Sequence, residues 1–314
     1  MILALAGGVG ASKLLRGLAQ VIDPAELTVI VNTGDDVILH GLTICPDVDT
    51  VIYTLAGVAD QERGWGVEGD TFNALQWLGR YGRECWFNLG DRDLATHLHR
   101  SALLNEGRTL TEVTDLIRRA FAVRARILPM SNERVSTIVL TDDGPQSFQS
   151  YLVRDGARRA VRGVIFEEIE RSRPAPGVLE AIETADGIIL CPSNPIISIG
   201  PVLAVPGIRE ALRATKAPIV AISPVVSGRS LKGPTDKFLT GLGHEVSALS
   251  VARLYHDFLD LLIIDRLDTG LLPVIEALSL QAKAAETLMD NPERKIALAK
   301  ETLVCLASLT GWRR

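Results

Sequence analysis

The chain has 314 residues, of which 47% are hydrophobic and 23% charged, and its formal net charge is −5. That length allows two units of roughly 150 residues or one large α/β domain, and the ordinary composition excludes disordered and fibrous classes. The acidic balance leaves no global basic footprint for nucleic acid, so any phosphate must be met by local cations, backbone amides or a metal.

Residues 1–6 (MILALA) form an unbroken apolar run, the pattern of a strand buried on both faces of a parallel sheet. A glycine loop, Gly7 to Gly10, follows it, and then a helical pattern over 11–21 in which Leu14, Leu15 and Leu18 share a face. LTVIVNT (27–33) completes a βαβ unit. Further strands are predicted at 84–89, 125–129, 135–141, 148–154, 161–166, 187–191, 218–223 and 257–265. The runs at 135–141 and 148–154 flank a hairpin-like turn, which places an antiparallel piece at the sheet edge. Helices are predicted at 49–57, 70–80, 94–105, 111–122, 177–185, 206–214, 247–254 and 291–308, with Thr109 and Glu112 spelling a capping box. The expected fold is therefore α/β: a mostly parallel sheet with helices on both faces, an antiparallel hairpin and helical additions. One compact unit spans 1–314, its core about 1–165 and 186–268, with additions that include 270–314.

Cys45, Cys85, Cys191 and Cys305 lie far apart without a CxxC pair, which argues for reduced thiols and a cytoplasmic setting. No charge-free run of about 18 apolar residues predicts a membrane span, and no basic segment precedes the first strand.

Several loops that follow predicted strands carry chemistry. GGVGASK (7–13) offers a tight backbone turn and a helix N-terminus to a phosphate, with Lys13 as counter-charge. It matches neither GxGxxG nor the Walker pattern, and a plain βα turn is the alternative. NTGDD (32–36) sets Asp35 beside Asp36, a pair of carboxylates suited to magnesium. PDVDT (46–50) adds Asp47 and Asp49, either of which would otherwise serve as an N-cap. GDRD (90–93) presents Arg92, a fork donor for phosphate or a planar carbonyl ring, or else an ion-pair partner of its neighbouring aspartates. His97 and His99 point about 200° apart on a helix, so a zinc pair is not expected there. Ser131 and Asn132, Ser193 and Asn194, and the basic loop with Arg229, Lys232 and Lys237 also follow strands. Neither a GxSxG elbow nor an HExxH motif is present.

Together, GGVGASKLLRGL, NTGDD, PDVDTVIYTLAG, NLGDRDLATH, LPMSN, CPSNPIISIGPVLAVPGIR, ISPVVSGRSLKGPTDK and FLDLLIIDRLD, in this order over residues 1 to about 268, resemble the 2-phospho-L-lactate transferase family. That resemblance implies a magnesium-dependent transferase of coenzyme F-420 biosynthesis, Rossmann-like and dimeric. Such enzymes transfer a phospho-carboxylic acid from a guanosine diphospho-acid to the ribityl hydroxyl of the deazaflavin Fo, releasing GMP. By motif, it implies that Asp49 and Arg92 bind Fo, that Asp35, Asp36 and Asp47 form the metal region, and that Asp49 and Asp35 are catalytic. It assigns Gly8, Gly10, Lys13, Ser193, Asn194 and Lys232 to the nucleotide side. Ala11-Ser12 replaces the glycine-alanine common in the family's first loop, and Asn132 replaces its aspartate. The alternative is a non-catalytic nucleotide-sugar regulator of the gluconeogenesis-factor kind; a nicotinamide dehydrogenase is weakened by the broken GxGxxG. Which acid is transferred (lactate, enolpyruvate or glycerate) is not legible from sequence.

Overall fold

A computed structural model describes residues 1–230 and 233–309. In chain order the first half comprises β1 (Ile2–Ala6), α1 (Gly8–Val21), β2 (Leu27–Val31), β3 (Val37–Leu39), β4 (Leu42–Ile44), α2 (Pro46–Ala56), α3 (Asn73–Arg80), α4 (Asp91–Asn105), α5 (Leu110–Ala120) and β5 (Arg126–Pro129). An insert follows, β6 (Ser136–Thr141), β7 (Gly144–Ser147) and β8 (Val161–Glu167). The second half comprises α6 (Val178–Glu183), β9 (Gly187–Leu190), α7 (Ile199–Ala204), α8 (Ile208–Ala214), β10 (Ile219–Ile222), β11 (Val225–Val226), β12 (Arg229–Ser230), α9 (Thr235–Gly241), α10 (Ala248–Tyr255), β13 (Leu261–Asp265), α11 (Leu272–Glu276), β14 (Gln281–Ala285) and α12 (Pro292–Leu309).

Seven strands form one sheet in the order β14-β13-β10-β9-β1-β2-β5, and every neighbouring pair is parallel. The pleat divides each strand between two cores. Leu3, Leu5, Ile188, Leu190, Leu262 and Ile264 face one layer, while Ala4, Ala6, Ile189, Val220, Ile222 and Ile263 face the other. Covering both faces explains why these strands are unbroken apolar runs. On the second face α1 packs closely on α12: a Cβ on Gly17 would lie 2.2 Å from the Lys295 carbonyl oxygen.

From β1 the chain moves outward through β2 and β5, then returns to the other side of β1 and moves outward through β9, β10, β13 and β14. The direction reverses between β1 and β9, so the loops leaving these two strands flank the crevice where doubly wound sheets take ligands. The Gly7–Gly10 loop and the loop after Leu190 are therefore neighbours. A Cβ on Gly10 would stand 2.3 Å from the Pro192 carbonyl oxygen, which is why glycine occupies that position.

Two strand predictions fail. Residues 84–89 form no strand; Phe87 and Asn88 instead line a cleft. Residues 148–154 form no strand either: after β7, the Ser150–Arg154 turn is helical, opened by Ser150 N–H donating to Ser147 Oγ at 3.3 Å. Phe148, Tyr151 and Leu152 recur at helical rather than strand spacing, and both aromatic rings pack edge-on against Phe238. The hairpin exists, but its partners are β6 and β7, with β8 on the far side of β6. The β3–β4 hairpin, α7, α9 and the edge strand β14 are too short or too polar to show a clear period in sequence. Among the described residues no helix is long and apolar enough to cross a membrane, and all four cysteines are free.

Candidate active site

A cleft of about 580 Å³ opens at the carboxyl ends of the central strands. It is lined by the first turn of α1, the acidic start of α2, the Cys191–Ser198 loop and an apolar wall that includes Trp65, Phe87 and Phe148.

Its first corner is the N-terminus of α1. Gly7 caps that helix with no side-chain bond, and Gly8 adopts a left-handed φ of +70° that favours glycine. The first amide N–H groups of the helix are therefore largely left for an anion. Lys13 also lines the cleft, as do Ser193 and Asn194. The Ser193 hydroxyl and the Asn194 side-chain nitrogen are buried and have no partner among the described residues. Such groups are costly to bury unless something bonds them.

Beside that corner lie two buried acids, Asp35 and Asp47. Asn32 donates to Asp47 Oδ2 at 3.0 Å, and its own Oδ1 accepts from Gly34 N–H at 2.8 Å. Burial, and next the negative charge of Asp47, push the Asp35 carboxyl well above the usual carboxylate range. Burial likewise raises Asp47 to about 6, against hydrogen bonds from Asn32 and the Gly8 backbone. Asp35 Oδ1 has no partner among the described residues. Neighbouring buried carboxylates with a spare oxygen fit a hard divalent cation, which takes oxygen ligands and relieves their repulsion. Asp36 is half-buried and also raised by desolvation, but it lies outside the cleft lining, beside the Cys45 thiol.

A third group spans α2 and α4. Arg100, 1% exposed, donates Nη1 to Asp49 Oδ2 at 3.0 Å and Nη2 to Asp49 Oδ1. Its Nη1 also lies 3.2 Å from His97 Nδ1. His97 Nε2 stands 3.3 Å from Asp93 Oδ1, and the Tyr53 hydroxyl lies 2.8 Å from that same oxygen and 2.7 Å from Thr96 Oγ1. Burial works to raise Asp93, but the His97 imidazole beside it, then the Tyr53 hydroxyl and the charge of Arg100, hold its carboxyl below the ordinary value. One ligand atom from each of Asp49, Asp93 and His97 lies within 4.8 Å of the others, a spacing that could hold a metal. Arg100 already supplies positive charge there, so a divalent cation fits the Asp35–Asp47 pair better.

Neither Asp47 nor Asp49 caps α2. Cys45 is the cap residue and Pro46 takes the first helical position. Arg92 is exposed, lies outside the cleft lining and donates Nη1 to the Glu68 carbonyl at 3.0 Å, pairing with neither neighbouring aspartate. It steadies the loop that carries Trp65. That loop is also held by reciprocal caps. Asp70 accepts from the amides of Arg92 and Asp93 at the start of α4, while Asp91 accepts from those of Asn73 and Ala74 at the start of α3.

Lys232 lies outside the described residues, although Gly233, Pro234 and Thr235 line the cleft. Lys237 points elsewhere, donating to the Ala157 carbonyl. Ser131 and Asn132 serve local structure: Ser131 bonds Glu133, and Asn132 accepts from Thr111. His99 is exposed while His97 is buried, as their spacing requires. Sequence reasoning missed Asn32, Asp93 and Arg100 as site groups. A signal existed in α4, where Asp93, Thr96, His97 and Arg100 fall at i, i+3, i+4 and i+7 and face inward, while Leu98 is 53% exposed.

Fold and cleft define a doubly wound α/β protein whose cleft sits at its topological switch point, where such folds take ligands. Residues 2–293 match the family model described as 2-phospho-L-lactate transferase CofD. The chain is 44% identical over 300 residues to a 2-phospho-L-lactate transferase of Methanothermobacter thermautotrophicus, covering 96% of both chains. It is 42% identical to a phosphoenolpyruvate transferase of Streptomyces griseus, covering 96% of this chain and 97% of that one. A crystal structure of a Bacillus halodurans protein of the upf0052 family superposes with a TM-score of 0.63 at 19% identity, covering 96% of this chain and 98% of that one, and shares the fold. The chain belongs to the 2-phospho-L-lactate transferase CofD family and is a transferase.

Proposed function

We propose that this enzyme transfers a phospho-carboxylic acid (2-phospho-L-lactate, phosphoenolpyruvate or phosphoglycerate) from a guanosine diphospho-acid to the terminal ribityl hydroxyl of Fo, releasing GMP in coenzyme F-420 biosynthesis. Relatives named for phospholactate and for phosphoenolpyruvate transfer support the class of donor. The observation that carries the reading is the composition of one cleft. It joins the N-terminus of α1, and buried polar groups without a partner among the described residues, to buried carboxylates and an aromatic wall.

The diphosphate lies at Gly8, Gly10 and Lys13, where the helix N-terminus favours negative charge. Ser193 and Asn194 supply hydrogen bonds to the nucleotide, and the family resemblance supports Lys232 as a further positive charge toward it. The polyol tail of Fo bonds to Asp49, and its ring lies along the wall that holds Trp65 and Phe87. Arg92 reaches the ring carbonyls on exchanging its Glu68 partner. The ribityl hydroxyl attacks the phosphorus that bears the acid. Its proton passes to a cleft carboxylate, Asp49 or Asp35, as the bond to the GMP oxygen breaks. Magnesium held by Asp35 and Asp47, with Asp36 behind them, would supply charge neutralisation on the transferring group. The resemblance supports a homodimer, and the four free cysteines support a cytoplasmic setting.

Mass spectrometry of the product formed from Fo with each guanylylated acid tests the reading and names the acid. A phospho-acid ester of Fo together with GMP is the expected result; no Fo adduct with any donor overturns it.

A further inference from the structure

Arg100 is among the largest side chains that the fold buries completely, and it lies on α4, behind the cleft rather than in its lining. A buried guanidinium is retained only with partners for its donors. Here its partners belong to the wall behind Asp49. Both Asp49 oxygens accept from it, the Thr43 carbonyl accepts at 3.4 Å, and His97 Nδ1 lies at 3.2 Å. Because a guanidinium can only donate, His97 Nδ1 is the acceptor and the ring proton sits on Nε2, facing Asp93 Oδ1 at 3.3 Å. The planar fork fixes the plane of the Asp49 carboxylate and leaves the remaining lone pairs for the cleft that Asp49 lines.

We propose that Arg100 is a positioning residue for acceptor binding: its fork holds Asp49 so that the free lone pairs accept hydroxyl protons from a polyol. This rests on the assignment of Fo to the Asp49 side under Proposed function. Arg100 touches no substrate in this scheme; it acts through Asp49. His97 is the third member of the frame, accepting from Arg100 on one ring nitrogen while the other lies 3.3 Å from Asp93 Oδ1. The polyol contributes donors that Asp49, as a doubly engaged carboxylate, accepts without competing with its own arginine.

The test is Fo fluorescence titration, donor calorimetry and steady-state kinetics on Arg100→Lys, which keeps the charge and loses the fork. The expected result is Fo affinity weakened by at least about tenfold, the size of one charge-assisted hydrogen bond. Donor affinity stays unchanged, and KM for Fo rises far more than kcat falls. Wild-type Fo affinity in this variant, or equal losses for both ligands, overturns the proposal. Should Arg100→Lys fail to fold, Asp49→Asn/Arg100→Met is compared with Asp49→Asn. Removing both buried charges together is far milder than removing one. If Arg100 acts only through Asp49, the double variant loses no more Fo affinity than the single one. A further loss overturns the scheme. Wild-type protein that binds the donor but not Fo overturns the acceptor assignment itself, and the role of Arg100 with it, whereas a normal wild type with an indifferent lysine variant removes the role of Arg100 alone.

Discussion

Two groups of aspartates meet in one cleft, equally removed from water and oppositely treated. Asp49 and Asp93 are surrounded by permanent partners: an arginine fork, an imidazole and a phenol. Asp35 and Asp47 have an asparagine, a backbone amide and each other. In the first group the His97 and Tyr53 side chains, with the charge of Arg100 behind them, outweigh desolvation and Asp93 titrates low. In the second, desolvation prevails and both acids titrate high. Burial alone therefore says little about a carboxylate's task. What matters is whether its counter-charge belongs to the chain or must arrive with a ligand.

The largest expected effect breaks the second group. Asp35→Ala removes a carboxylate from the proposed magnesium seat and should lower turnover by about a hundredfold or more, the usual loss when one preorganised electrostatic contact at a reacting centre is deleted. Excess chelator on the wild type should abolish turnover, and magnesium should restore it. Full product formation in chelator, read by mass spectrometry, would remove the metal from the account. Next, Asp49→Ala breaks the first group by stranding Arg100 in the interior, and should destabilise the fold by about 3–5 kcal/mol in a denaturant melt. An unchanged melt would show that the ion pair is not what holds this wall together. Gly10→Ala acts on the partition between the groups and the helix corner. Its methyl meets the Pro192 carbonyl, so a loss of about 1–3 kcal/mol is expected from overpacking, together with weaker donor binding by calorimetry.

The pH dependence sharpens the contrast. Asp35, Asp36 and Asp47 have folded-state pKa values raised above that of an unfolded aspartate. The folded chain therefore binds more protons than the unfolded one above about pH 4, and the contribution of these groups to stability falls as pH rises through that range, for Asp47 up to about 6. Asp93 runs the other way: its contribution is present above about pH 4 and is lost as pH falls through its lowered value. Magnesium should therefore raise the melting temperature more at about pH 7.5 than at about pH 5. Equal increments at both values would mean that the cation does not sit on these acids. The smallest effect is a control outside the cleft. Thr109→Ala removes the capping box that Thr109 forms with Glu112, and should cost about 1 kcal/mol in a melt with unchanged kinetics.

Much of this molecule is decided locally and is therefore legible in sequence. Apolar runs at 1–6, 27–33 and 187–191 specify strands buried on both faces, because a parallel sheet with helices on each side has no polar face to display. The helices of the αβ units follow from their apolar period, and the α5 cap from its threonine and glutamate. The glycine loop after β1 and the acid pairs in NTGDD and PDVDT follow the same rule, since ligand loops leave the carboxyl ends of strands. The tertiary structure decides which acid receives which partner. Asn32 reaches Asp47 across 15 residues, Arg100 reaches Asp49 across 51, and Asp70 and Asp91 exchange caps between two helices. The period of α4 marks Arg100 as inward-facing, but no pattern in the sequence names its partner, because these contacts depend on how loops and helices come together over the sheet rather than on the conformation of any one element. For the same reason sequence could nominate the aspartates of this cleft but could not divide them. The division follows from where Arg100 lies, the one buried arginine among the described residues, and only packing puts it there.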